Sequence, residues 1–104
     1  MAYSRNPPDF DRSVELLEQA LASERGIRII CGPKAGATKQ TFRLNEARAK
    51  IRAENREIYE FGHELHGRSP YEHFSIRVRP SADPETWYCE IVPLEVFAQK
   101  VEEL

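Results

Sequence analysis

The chain has 104 residues, with 15 Lys and Arg against 17 Asp and Glu, for a formal charge of −2. A hydrophobic share of 40 % is too high for a disordered segment. No stretch approaches the roughly 20 consecutive apolar residues of a membrane span. Two cysteines, Cys31 and Cys89, are too few for a disulfide scaffold and point to a reducing, cytoplasmic setting.

Residues 1–8 read as a flexible polar leader ending in Pro7-Pro8, and residues 9–104 as a single α+β domain. The leader has no apolar stretch after its charge, so it does not read as a secretory signal. Asp9 is placed to cap a helix whose stripe is Phe10, Val14, Leu17 and Leu21, with Leu16 and Ala20 beside it. Gly26 stands where a left-handed terminator belongs. Ile27 to Cys31 is short, β-branched and bounded by Gly32-Pro33, the signature of a buried strand. A small-residue loop with Lys34 and Lys39 follows, and then a long helix is expected from about Thr41 to Leu65. Its core face would be Leu44, Ala47, Ile51 and Ile58. Ser69-Pro70-Tyr71-Glu72 has the capping-box pattern and predicts one further helical turn.

Phe74, Ile76 and Val78 alternate with Ser75, Arg77 and Arg79, and Trp87, Cys89 and Ile91 alternate with Tyr88, Glu90 and Val92, which predicts two strands pairing antiparallel through a turn-rich connection. Pro93 opens a last helix with Leu94, Phe97, Ala98, Val101 and Leu104 on one side. The expected order is α-β-α-β-β-α, a small three-stranded sheet with helices over one face.

The net charge conceals a segregation. Met1 to Glu24 carries −3, Arg25 to Arg56 carries +7, and Glu57 to Leu104 carries −6. Within the basic third, Arg48, Arg52 and Arg56 are spaced four apart along the long helix. Glu46 can pair with Lys50 and Arg56 with Glu60, but Arg48 and Arg52 have no acid three or four residues away. Ala49 and Ala53 keep the adjoining face low. Lys34, Lys39 and Arg43 surround the expected helix start, where free N–H groups and the dipole favour an anion. These six basic residues predict a phosphate-backbone contact surface, set against a solvated face whose arginines pair with the acidic parts of the chain.

Other motifs fail on spacing. A P-loop counted from Gly32 needs glycine, lysine and Ser/Thr where Ala37, Thr38 and Lys39 stand. His63 and His66 are three apart rather than the zincin's four, and read better as histidines at a helix's negative end than as ligands joined by His73, Cys31 or Cys89. Cys31 and Cys89 read as structural thiols. No acids, Asp83 and Glu85 included, form a pair suited to general acid-base chemistry. Neither a catalytic residue, a metal nor a cofactor is expected. Trp87 shares parity with Cys89 and Ile91 and should be core, whereas Tyr88, with Arg77 and Arg79, gives the sheet's open face a cationic-aromatic character.

The strand at Ile27 to Ile30, the basic loop, the Arg-rich helix from Arg43 to Tyr59 and the strand pair from Phe74 to Val92 together resemble a group of small uncharacterised bacteriophage and prophage proteins. The resemblance spans about two-thirds of the chain. It implies a non-enzymatic accessory protein that binds a phage or host macromolecule, among them inhibitors of host defence such as anti-CRISPR proteins. The acid-rich DNA mimicry of several such inhibitors is not matched by the +7 segment. The element order also resembles a KH nucleic-acid-binding domain, but no two glycines stand three apart to supply its Gly-X-X-Gly loop. The sequence therefore points to binding of nucleic acid or a nucleoprotein through Lys34, Lys39, Arg43, Arg48, Arg52 and Arg56. The alternative is a protein-binding inhibitor or adaptor that sets the same arginines on an acidic protein patch. No membrane partner is expected.

Overall fold

The computed structural model describes residues 5–94. The first four residues of the leader and residues 95–104 of the expected last helix lie outside the described residues; Pro93, expected to open that helix, is instead the last residue of a strand. Helix α1 (Phe10–Ala22) leads into strand β1 (Ile27–Gly32), helix α2 (Lys34–Ile58) and strands β2 (Phe74–Pro80) and β3 (Trp87–Pro93). The strands form one antiparallel sheet in the order β1-β3-β2, so the class is α+β. Helix α2 lies across all three strands, and α1 packs on α2 and reaches β3.

The buried face of α1 is Ser13, Leu16, Leu17 and Ala20, an i, i+3, i+4, i+7 set. Leu21, expected in the stripe, is exposed instead, and the buried stripe takes in Ser13 one turn before Leu16 and Leu17. Asp9 does not cap with its side chain; it takes a left-handed φ of 58°, and its carbonyl accepts the Ser13 N–H at 2.9 Å. The helix stops at Ser23, whose backbone is extended, so Gly26 is not its terminator. Gly26 instead uses a φ of +87° to turn the chain into β1.

β1 corrects a second expectation. It is an edge strand with one wet face rather than a buried strand, and Ile30 is 73 % exposed. The largest correction concerns α2, which begins and ends seven residues earlier than the expected Thr41 and Leu65. The small-residue loop is thus the first two turns of the helix, started by Pro33 with its extended backbone. Gly36 is required there, since a Cβ would come 2.7 Å from the Cys31 carbonyl oxygen. Leu44 and Ala47 are buried as expected, but Ile58 is exposed and the helix ends beside it.

The capping-box pattern forms its bonds without a helix. Glu72 accepts the Ser69 N–H at 3.1 Å and the Ser69 hydroxyl at 2.7 Å, and Ser69 Oγ accepts the Tyr71 N–H at 3.2 Å. These bonds hold residues 69–73 as a tight turn that delivers Tyr71 and Phe74 to the core. Opposite, in the β2–β3 connection, the Asp83 carboxylate accepts the Glu85 N–H and the Thr86 hydroxyl, which hold that carboxyl below its usual range.

Leucines 16, 17 and 44, with Tyr71, Phe74, Cys89 and Ile91, make the core between the helices and one sheet face. The register fixes what the other face presents. Ile27, Ile91 and Ile76 line up on the covered side, whereas Arg28, Glu90 and Arg77 line up on the open side, followed by Ile30, Tyr88 and Arg79.

Candidate nucleic-acid interface

The six basic residues singled out on the sequence all lie on α2 but differ in exposure and in partners. Lys34, the first residue of α2, places its Nζ 5.2 Å above the ring of Trp87, which is half-buried at the end of the sheet. Lys39 is exposed, and Arg43, one turn on, lies 4.0 Å from Asp9. Arg56 is exposed, with its guanidinium against Gly67. Lys50, elsewhere in the basic segment, is 4 % exposed and bonds Glu54 at 3.2 Å rather than Glu46.

Arg48 and Arg52 are not an unpaired ridge. They hold the turn before β2. Arg48 donates to the carbonyls of Tyr71 at 3.1 Å and Phe74 at 2.9 Å, and to Asn45 Oδ1 at 2.9 Å. Burial, and then the neighbouring Arg52, lower the Arg48 guanidinium from its ordinary value, against the pull of Glu72. Arg52 donates to Glu72 Oε2 at 2.6 Å. Apart from Asn45, the partners of both arginines lie 20 to 26 residues away along the chain, where i, i+4 counting does not reach.

Partial burial pushes the Glu72 carboxyl up, but the bonds from Arg52 and Ser69 outweigh it and hold the carboxyl below its usual range. A depressed carboxyl contributes stability that is complete above about pH 4.3, the unfolded value, and is lost as the pH falls through the folded one. Urea midpoints are therefore expected to fall in acid, and Glu72→Gln to flatten that part of the profile. An unchanged acid limb in Glu72→Gln would show that this turn is not what acid loosens.

The open face of the sheet gathers its own cluster. Glu90, in the middle strand, is 8 % exposed although it points away from the core. Arg28 donates its Nε to Glu90 Oε2 at 3.1 Å and places Nη2 3.0 Å from the same oxygen. Arg77 donates Nε to Oε1 at 3.3 Å, and Arg79 Nε lies 3.6 Å from Oε1. Among the described residues of this face, three guanidinium groups thus meet on one carboxylate. Arg28 also sits over the Tyr88 ring, 4.6 Å from its centroid.

Tyr88, Arg77 and Arg79 stand on this face as their parity predicts, whereas Arg28 and Glu90 are members that the sequence reading misses. The alternation of Arg28 with Ile27 and Ile29 carries that signal. A strand taken as buried on both sides hides it.

The histidines lie beyond the end of α2, in turns rather than in a last helical turn. His63 Nδ1 accepts the Leu65 N–H at 3.0 Å, and His66 Nδ1 lies 2.8 Å from the Tyr59 carbonyl oxygen. Among the described residues no group of three or more His, Cys, Asp and Glu is placed to hold a metal ion. Both thiols are free. Cys89 is buried with its Sγ 3.2 Å from Thr41 Oγ1, and burial pushes both cysteines up from the ordinary thiol value. No described helix is long and apolar enough to cross a membrane. No protein-family model, no curated protein and no solved structure matches the chain.

Proposed function

We propose that the protein is a non-catalytic accessory protein of the phage type that binds nucleic acid in the cytoplasm of a bacterial host, through the open face of its sheet. The observation that carries this reading is the convergence of Arg28, Arg77 and Arg79 on the nearly buried Glu90. The carboxylate holds the guanidinium groups in one array, so little side-chain freedom remains to be lost when a phosphate backbone meets them. The exposed Lys34 and Lys39 of α2 add long-range attraction from elsewhere on the surface. Arg48 and Arg52 hold the fold instead of the ligand.

Fluorescence anisotropy with labelled DNA and RNA oligonucleotides at about 50 to 200 mM salt tests this, a range over which phosphate contacts weaken steeply. Replacing both Arg28 and Arg79 with alanine is expected to weaken binding about tenfold or more, as for loss of charge-assisted contacts. The log–log salt slope should fall by about 1.4 for single strands. Lys34→Ala with Lys39→Ala is expected to change affinity only a few-fold. The opposite ranking would move the site to α2. Absence of binding to any nucleic acid at low salt would overturn the reading in favour of an acidic protein partner.

A further inference from the structure

We infer that the open face is a stacking platform for single-stranded nucleic acid, with Tyr88 and Arg28 together receiving one unpaired base. This rests on the nucleic-acid reading above and adds the form of the ligand. Tyr88 is on the middle strand, one residue in from the end of the sheet that Trp87 occupies, with Ile30 opposite on β1 and Arg79 opposite on β2. Arg28 lies over its ring and is fixed there by the two contacts to Glu90. A planar aromatic ring and a planar guanidinium are the two protein groups on which unstacked bases settle, and Ile30 extends the apolar surface beside them.

Stacking chemistry selects against a duplex. In a double helix the base faces are stacked on one another, so a sheet that meets it finds phosphates and base edges but no base face free to settle on a ring. A single strand can lay its phosphates toward Arg79 while turning a base onto the stack that Arg28 and Tyr88 form. Glu90 has no role as a ligand here. It positions the arginines, and its negative charge is enclosed by them, away from an incoming phosphate.

The platform takes ribose and deoxyribose strands by the same chemistry, so the test uses both. Anisotropy titrations with labelled 12-mers of oligouridylate and oligothymidylate, and with a mixed-sequence duplex of equal length, should show the single strands bound at least about tenfold more tightly than the duplex. Tyr88→Ala should weaken single-strand binding by about 5- to 100-fold while leaving duplex binding within about twofold, and Tyr88→Phe should retain the wild-type value because the ring face is kept. Thermal melts of both variants identify any loss that comes from unfolding, and Tyr88→Phe keeps the test decisive if Tyr88→Ala is unstable. Equal affinity for strand and duplex, with Tyr88→Ala or Tyr88→Phe inconsistent with stacking, overturns the platform while leaving nucleic-acid binding in place. Failure of every oligonucleotide to bind removes both.

Discussion

Gly26→Ala is expected to destabilise the protein by about 3 kcal/mol or more, a loss comparable with a large core truncation. Two costs coincide at this position. The backbone has a φ of +87°, which an alanine adopts only at an expense of about 1 to 2 kcal/mol. A Cβ would also stand 2.1 Å from the Ile91 carbonyl oxygen and 2.9 Å from the Val92 Cα, both backbone atoms of the central strand. Neither can rotate aside, so β1 must move away from β3. Domains of this size are stable by roughly 5 to 15 kcal/mol, so the variant would lose a large part of its margin. Gly32→Ala is the control that separates the two costs. Its φ is +71°, but nothing lies within 4 Å of the added Cβ, so it should lose only the conformational part, about 1 to 2 kcal/mol. Urea unfolding of the two variants checks this. Equal losses would mean that the close approach to Ile91 does not exist in solution. The substitution also reaches the proposed site, since β1 pairing is what brings Arg28 to Glu90 and Tyr88.

The contrast between these glycines shows which parts of the structure the chain makes readable. Strands β2 and β3 are legible because Phe74, Ile76 and Val78 alternate with polar residues, and Trp87, Cys89 and Ile91 with Tyr88, Glu90 and Val92, at the period of a pleated strand. Their pairing follows from the turn chemistry between them. The start of α2 is not legible. Gly36 reads as a loop residue by propensity, whereas the helix needs it so that it can approach the Cys31 carbonyl closely. Its end is not legible either, because no breaker precedes Gly62. The helix stops where support stops: Ile58 and Phe61 are exposed, and Asn55 instead donates to the Arg68 carbonyl at 2.6 Å as the chain folds back. Helix ends of this kind are set by tertiary packing, which a local pattern does not contain. The same limit applies to the candidate site. Charge counting locates a basic third of the chain correctly, but it does not tell an arginine that faces solvent from one that caps a distant turn.

Arg48 gives that distinction a measurable form. Arg48→Ala is expected to lower stability by about 2 to 3 kcal/mol, the range for hydrogen bonds made by a charged donor. The reason lies in the edge of the sheet. Leu94 donates its N–H to the His73 carbonyl, which makes residues 73 and 75 the hydrogen-bonded positions of the β2–β3 ladder. Phe74 therefore turns its carbonyl away from β3, to the open edge of β2, where no further described strand stands to receive it. Nη1 of Arg48 takes that carbonyl together with the one from Tyr71, and so ties α2 to the turn that carries two core aromatics. Arg48→Lys should recover only part of the loss, because a single ammonium on a shorter reach does not reproduce the planar fork that spans Tyr71, Phe74 and Asn45. Urea midpoints measure the stability term. Oligonucleotide titration at a temperature where each variant is folded measures the other. There Arg48→Ala should bind within about twofold of the parent, with its salt slope unchanged, whereas an arginine that touched a phosphate would lower that slope by about 0.7 to 0.9 on removal. A variant that kept its stability but lost its binding would return Arg48 to the ligand and place the interface on α2; loss of stability with binding intact assigns the arginine to the sheet edge it covers.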